Sequence, residues 1–313
     1  MKDCPLLVIA GPTASGKTAL AVECAKEFDG EIISADSMQI YKGMSIATAK
    51  PTVQEMQGIK HYLTDFLDVN ESFSVASYVR LANEAYDEIL KKGKLPILAG
   101  GTGLYIDSFT GNINFPEEQT DPELRNELQK KMETVGAEEM LSELASFDPQ
   151  TAKELHPNNK KRIIRAFEVY LTTGKTVSEA RDESRRIPPR FHTVFVGINY
   201  KNRDVLYDRI NRRVDEMLAN GLVREAEEYC RLPEKSTASQ AIGYKELKPY
   251  FDGACSLEEA AENLKLSTRH YAKRQLTWFN RNKNIRWFCP DLYGSWEEFA
   301  DEVKTYIRGE IYG

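Results

Sequence analysis

The stretch "LLVIAGPTASGKTAL" (residues 6–20) runs a short apolar segment into Gly11 and closes its loop on Gly16, Lys17 and Thr18. This is the G-x-x-x-x-G-K-[ST] spacing of a phosphate-cradling loop, set between a strand-like run and a helix-like one. The backbone N–H groups of Gly11, Pro12, Thr13, Ala14, Ser15, Gly16, Lys17 and Thr18, proline excepted, together with the helix N-terminus behind them, offer partial positive charge to an anion. Lys17 adds a full charge, and the Thr18 hydroxyl can ligate Mg²⁺. Any polyphosphate ester fits such a cradle, and by frequency of use the first reading is nucleotide hydrolysis or phosphoryl transfer.

Outward from the loop, residues 1–110 alternate strand-like runs ("LLVIA", "EIISA", "PILAG") with helical ones ("TALAVECAKEF", "VASYVRLANEAYDEILKKG"). That alternation predicts right-handed βαβ units in an α/β, doubly wound parallel sheet, with a ligand crevice at the carboxyl ends of its strands. Three features fall at such ends: the phosphate loop, the acid of "SADSMQIYKG", and the turn "GGTGLYI". From about Phe115 the chain becomes charged and helix-forming, with helix starts at Asp121-Pro122-Glu123 and at Asn158–Asn159. "FHTVFVGINY" (191–200) then returns to the sheet. The expected organisation is a core of residues 1–115 and 190–313, with C-terminal helices, and a helical insertion at 116–189. A helix is expected at 202–220, stopped by Gly221, and another from the capping box Ser256-x-x-Glu259.

Composition narrows the classes. No apolar run approaches the roughly 20 residues of a membrane span, and "MKDCPLLVIAG" reads as a first strand and not a signal peptide. Five scattered cysteines without a C-x-x-C pair suggest neither a zinc site nor a disulfide framework, so a cytoplasmic protein is expected. The formal net charge of −6 argues mildly against nucleic acid, yet basic residues cluster. One group is Lys160, Lys161, Arg162 and Arg165, a second is Arg181, Arg185, Arg186 and Arg190, and a third runs from Lys265 to Arg286 without an acid. Three such groups in an acidic chain suggest a segregated surface.

Two features count against hydrolysis. A nucleotide hydrolase has a second apolar strand ending in Asp to hold its metal, whereas "LPILA" runs into Gly100, Gly101, Thr102 and Gly103. The strand-end carboxylate close behind the loop is Asp36. Alone it reads as a turn or cap aspartate; opposite a phosphate loop it suits a general base better. In the helix at 202–220, Leu206, Ile210, Val214 and Met217 mark the apolar face. At about 100° per residue Arg213 then lies on its flank while Arg212 points away. Spacing alone leaves open whether Arg213 faces a site or covers the core edge.

"GPTASGKT", "ADSMQIYKG", "GGTGLYI", "NNKKRIIRAFEVYLTTGKT", "DRINRRVDEMLANGLVREA", "QAIGYKEL" and "AKRQLTWFNR", in this order, resemble the bacterial tRNA dimethylallyltransferases, also called tRNA isopentenyltransferases. The resemblance covers nearly the whole chain. It implies a Mg²⁺-dependent enzyme that moves the dimethylallyl group of dimethylallyl diphosphate to N6 of the adenosine immediately 3′ of the anticodon. On that reading the phosphate loop, with Mg²⁺ on Thr18, holds a leaving group. Asp36 is the general base, Thr102 lies near the target amine, and Lys17 and Arg213 stabilise the departing diphosphate. The resemblance also implies an insertion that grips the anticodon stem-loop. Asp36, Ser37, Met38, Gln39 and Thr102 would face tRNA from the core, and Arg125, Lys161, Arg162, Ile163, Ile164 and Arg165 from the insertion. Lys265, Arg269 and Lys273 form a further basic stripe that could track RNA backbone. A monomer and no membrane partner are expected. The alternatives are a small-molecule kinase with the same loop, a prenyltransferase acting on free adenosine nucleotides, and a non-catalytic RNA-binding module.

Overall fold

A computed structural model of the chain describes residues 4–113, 121–186, 188–230 and 237–313. Strand β1 (Pro5–Ala10), buried along its length, passes through the phosphate loop into α1 (Lys17–Glu27). Then come β2 (Gly30–Ala35), α2 (Val53–Met56), β3 (His61–Tyr62), α3 (Val75–Lys91), β4 (Leu95–Gly100) and α4 (Gly103–Thr110). Four helices follow, α5 (Pro122–Phe147), α6 (Pro149–Glu154), α7 (Lys160–Thr173) and α8 (Val177–Arg186). The chain then forms β5 (His192–Ile198), α9 (Arg203–Ala219), α10 (Leu222–Tyr229), α11 (Tyr244–Phe251), α12 (Leu257–Phe279), β6 (Arg286–Phe288) and α13 (Trp296–Tyr312).

Among the described residues the strands make one sheet in the order β3-β2-β4-β1-β5-β6, with every pair parallel. The α/β, doubly wound parallel architecture is therefore as expected. Leu7, Ile9, Ile32, Ile97 and Val196 meet α1 and α13 on one face. The alternate residues Leu6, Val8, Ile33 and Leu98 are equally buried and point to the other face, where α3 and α4 pack. Burial on both faces is why these strands read as continuous apolar runs.

The chain divides into two compact units, Met1–Thr110 with Arg190–Gly313, and Gly111–Pro189. The boundary expected at 115/116 lies among residues 114–120, outside the described residues. The second unit has its own core, in which Leu128, Met132, Met140 and Leu144 of α5 meet Ile163, Ile164 and Phe167 of α7. Helix α5 starts as expected, with Asp121 Oδ1 accepting from the N–H groups of Glu123 (2.9 Å) and Leu124 (3.1 Å). Asn159 does occupy the N-cap position of α7 but does not cap it with its side chain. Its Oδ1 accepts from His156 N–H (3.1 Å), fixing the turn before the helix. The box at Ser256 forms in both directions, with Ser256 Oγ accepting from Glu259 N–H and Glu259 Oε2 from Ser256 N–H. No helix among the described residues is long and apolar enough to cross a membrane.

Candidate active site

Register places the site. Ala10 pairs with Gly100 across β1 and β4, and Gly100 pairs with Ala35 across β4 and β2. The next residue of each strand is Gly11, Gly101 and Asp36, so three separate sequence motifs leave the sheet in one rank. They line a crevice of about 1090 Å³ in the first unit, closed from outside by α9 and α12.

At one end lies the phosphate loop. Gly16, at φ 97°, sets the N-terminus of α1, whose first turn carries no acid. A Cβ on Gly11 would come within 2.5 Å of the Ile198 carbonyl oxygen of β5, so the loop hugs the sheet only as glycine. Lys17 Nζ donates to the Pro12 carbonyl at 2.6 Å. Helix α9 supplies Arg213, whose Nη1 donates to Thr13 Oγ1 (3.1 Å), and Arg209, whose Nε donates to the Ala14 carbonyl (2.9 Å). Burial, and then the neighbouring Arg213, push Lys17 down to about 7, against the pull of Asp36. Burial also lowers Arg213, with Asp36 opposing. Confining like charges around this loop is unfavourable until an anion joins them. Ser15 Oγ, buried within the loop, has no hydrogen-bond partner among the described residues, as a waiting oxyanion donor would.

Across the crevice, Asp36 Oδ1 accepts from the N–H groups of Met38 (2.8 Å) and Gln39 (3.2 Å). One oxygen thus does the turn aspartate's work and fixes the carboxylate. Among the described residues Oδ2 has no such partner and is the oxygen open to a substrate proton. Thr102 Oγ1 accepts from Ser37 N–H (3.1 Å) and lies 3.4 Å from Ser37 Oγ, and so holds Ser37, which lines the crevice beside Asp36.

Several expected contacts fall elsewhere. Gln39, on the crevice wall, spends both amide hydrogens on the carbonyls of Thr48 and Ala49 (3.1 Å each). Ile163 and Ile164 are core residues of the helical unit, 0% and 7% exposed, and not surface contacts. Lys161, Arg162 and Arg165 are exposed beside them. Arg125 and Arg165 both pair with Glu168, at 3.5 Å. The expected stripe on α12 is broken, because Lys265 is held by Asp215 (2.8 Å) and Glu262 (3.0 Å) and Arg269 donates to Asn211 Oδ1 (3.0 Å). These contacts knit α12 to α9. In the second basic group Arg181 pairs with Glu154 (2.8 Å) and Arg190 with Asp87.

Other residues of the site escaped the sequence reading. Arg209 stands one turn before Arg213, and the same stripe would have flagged it. Gln275 interrupts the buried run Leu264, Ala272 and Phe279 of α12, where a polar residue is itself a signal. Glu225 accepts from the N–H groups of Ser45 (3.0 Å), Ile46 (2.8 Å) and Ala47 (2.9 Å), and from Tyr244 Oη (2.9 Å). It pins the crevice-lining loop from a helix that nothing local connects to it.

Residues 39–282 match the family model described as IPP transferase. The tRNA dimethylallyltransferase of Acetivibrio thermocellus is 51% identical over 304 residues, 96% of this chain and 97% of that protein. That of Bacillus subtilis (strain 168) is 46% identical over 311 residues, 98% of each. The crystal structure of the full-length tRNA isopentenylpyrophosphate transferase from Bacillus halodurans superposes with a TM-score of 0.73 at 42% identity, covering 98% of this chain and 96% of that one. A eukaryotic dimethylallyltransferase caught acting on tRNA gives a TM-score of 0.86 at 30% identity, covering 99% and 80%.

Proposed function

The chain belongs to the IPP transferase family, the tRNA dimethylallyltransferases, and from that premise we propose that its crevice prenylates N6 of the adenosine immediately 3′ of the anticodon, with dimethylallyl diphosphate as donor. It is a prenyl-transferring enzyme whose substrate is tRNA. The observation that carries the mechanistic reading is one crevice with Lys17, Arg213 and Arg209 on a phosphate loop at one end and Asp36 with Ser37, which Thr102 holds, at the other.

The C–O bond to the allyl carbon breaks, its electron pair leaves on the diphosphate, a C–N bond forms, and the amine proton passes to Asp36. Growing charge on the leaving group meets loop N–H groups and cations already in place. An adenine amine is a weak nucleophile because its lone pair is delocalised into the ring, so removal of its proton has to accompany attack. Thr18 is exposed at the crevice mouth, and no cluster of three acidic, histidine or cysteine side chains suited to a metal occurs among the described residues. Thr18 would hold Mg²⁺ through its hydroxyl, a hard oxygen donor of the kind that ion prefers. The metal, when bound, neutralises leaving-group charge.

The target base has to swing out of the anticodon loop at a cost of a few kcal/mol. The exposed Lys161 and Arg162 on α7 are proposed to offset this through backbone phosphates, with Arg125 and Arg165 alongside. Replacing Lys161 or Arg162 with Ala is expected to flatten the dependence of tRNA affinity on salt by about one phosphate contact each. An unchanged slope in filter binding from 50 to 300 mM salt would exclude the contact. A cytoplasmic monomer remains the proposed state of the enzyme.

Donor binding is expected to consume a proton. Free Lys17 loses its proton through pH 7, and an adjacent diphosphate raises that value. Between the free and bound values binding takes up as much as one proton, and affinity falls with rising pH by as much as tenfold per unit. At pH 8 the diphosphate is already fully ionised and contributes nothing. Calorimetry at pH 8 in two buffers of different ionisation heat should therefore report uptake, and Lys17→Arg should abolish it. Zero uptake in the unaltered protein would refute the depressed lysine.

The decisive assay incubates the protein with dimethylallyl diphosphate, Mg²⁺ and either tRNA or AMP, and weighs the base. Prenylated tRNA supports the reading, prenylated AMP a free-nucleotide prenyltransferase, and phosphoryl transfer from ATP a kinase. Binding of tRNA without any transfer would leave an RNA-binding module.

A further inference from the structure

The phosphate loop and the glycine turn leave different strands, and a single side chain from α12 joins them. Gln275 is buried, with Oε1 accepting from Thr13 N–H (2.8 Å) and Nε2 donating to the Gly101 carbonyl (3.0 Å). A donor on one side and an acceptor on the other leave its amide one orientation. The turn is shaped for it. A Cβ on Gly101 would lie 2.1 Å from Nε2, and a Cβ on Gly103 2.2 Å from Cδ1 of Trp278, the next residue of α12 facing the turn. Trp278 also donates Nε1–H to Asp107 Oδ2 (2.7 Å). One turn before Gln275, Tyr271 lines the same crevice. The two glycines thus admit the side chains of α12.

Hydrogen bonds, joined by short covalent links within and between adjacent residues, run from one end of the crevice to the other. Arg213 holds Thr13 Oγ1, Thr13 N–H holds Gln275, Gln275 holds Gly101, and the next residue, Thr102, holds Ser37 beside Asp36. We propose that Gln275 is a positioning residue of the transfer, setting the separation between the leaving-group loop and the proton acceptor. The proposal rests on the function above. Both polar atoms of the Gln275 amide are spent on backbone groups of the loop and the turn, so its contribution is expected to fall on kcat and not on the affinity for donor or tRNA. A displacement of about 1 Å between reacting groups can cost on the order of 10²-fold in rate.

Gln275→Glu tests this with almost no change of shape. An ionised carboxylate still accepts from Thr13 N–H but faces the Gly101 carbonyl oxygen without a hydrogen to give it. Protonated, the acid supplies both, and burial moves its titration upward from the ordinary range. At pH 8 the variant should lose about 10- to 100-fold in kcat, with KM for each substrate within about threefold, and should recover toward the unaltered enzyme as pH falls to 6. Gln275→Met, of similar length but without hydrogen bonds, should lose as much at every pH. Turnover of both variants within threefold of the unaltered enzyme, a loss confined to KM, or a ratio for Gln275→Glu that does not change with pH would overturn the proposal. Unfolding of both variants in thermal melts would do so too, since the role would then be structural. Failure of the unaltered protein to prenylate tRNA in the same assay would instead remove the functional reading beneath it.

Discussion

Asp36→Asn is expected to slow single-turnover prenyl transfer by about 10²- to 10⁴-fold while leaving tRNA affinity within about threefold. The substitution is chosen on the geometry. Oδ1 of Asp36 holds Met38 and Gln39 by their N–H groups, and an asparagine Oδ1 accepts the same two bonds, so the turn survives. What is lost is the second oxygen's capacity to take a proton. At about 1.4 kcal/mol per tenfold, the expected loss corresponds to roughly 3–5 kcal/mol of barrier. Asp36→Ala should show the same chemical defect with a looser crevice wall added, visible as weaker tRNA binding. Rapid-quench transfer within threefold of normal for Asp36→Asn would remove the base assignment.

Arg213→Met should separate function from stability in opposite directions. Arg213 is half-buried and makes the charge of Lys17 costlier to hold, while burial lowers Arg213 itself against the pull of Asp36, Glu55 and Glu216. The diphosphate reconciles them, so the arginine acts where charge develops, and its loss is expected to lower kcat/KM for the donor by about 10²- to 10³-fold. The ligand-free protein should melt no lower than the original, because a poorly solvated cation next to another has been removed. Lys17 should regain a higher value, which would shrink the proton uptake seen on donor binding at pH 8. A fall in melting temperature typical of a core truncation, or a defect confined to tRNA, would contradict this account of Arg213.

How far the site could be read in advance followed the range of each interaction. The phosphate loop is a strand, a turn and a helix start within fifteen residues, and its glycines, lysine and threonine stand at positions the backbone itself dictates. Asp36 and Thr102 could be nominated because each ends a strand of a parallel sheet, where ligands bind. Periodicity set Arg213 on the inner flank of its helix. The pairing of surface charges was not legible for the complementary reason. Arg125 and Arg165 share Glu168, and Lys265 meets Asp215 on another helix, pairings that a count of basic residues has no means of foreseeing. Ile163 and Ile164 lie inside a cationic motif in sequence and inside a core in space, as alternation around a helix requires.

Left to itself, the sequence determined each strand-loop-helix unit, because backbone preference and hydrophobic period act over one or two turns. Which units become neighbours was decided only by the sheet. Its order sets β4 between β1 and β2, and its register brings Gly11, Gly101 and Asp36 into a single rank. The same folding carries Arg213 to Thr13 across 200 residues and Gln275 to Thr13 across 262. Directional bonds at such separations depend on where the whole chain has already been packed, and no local pattern encodes them.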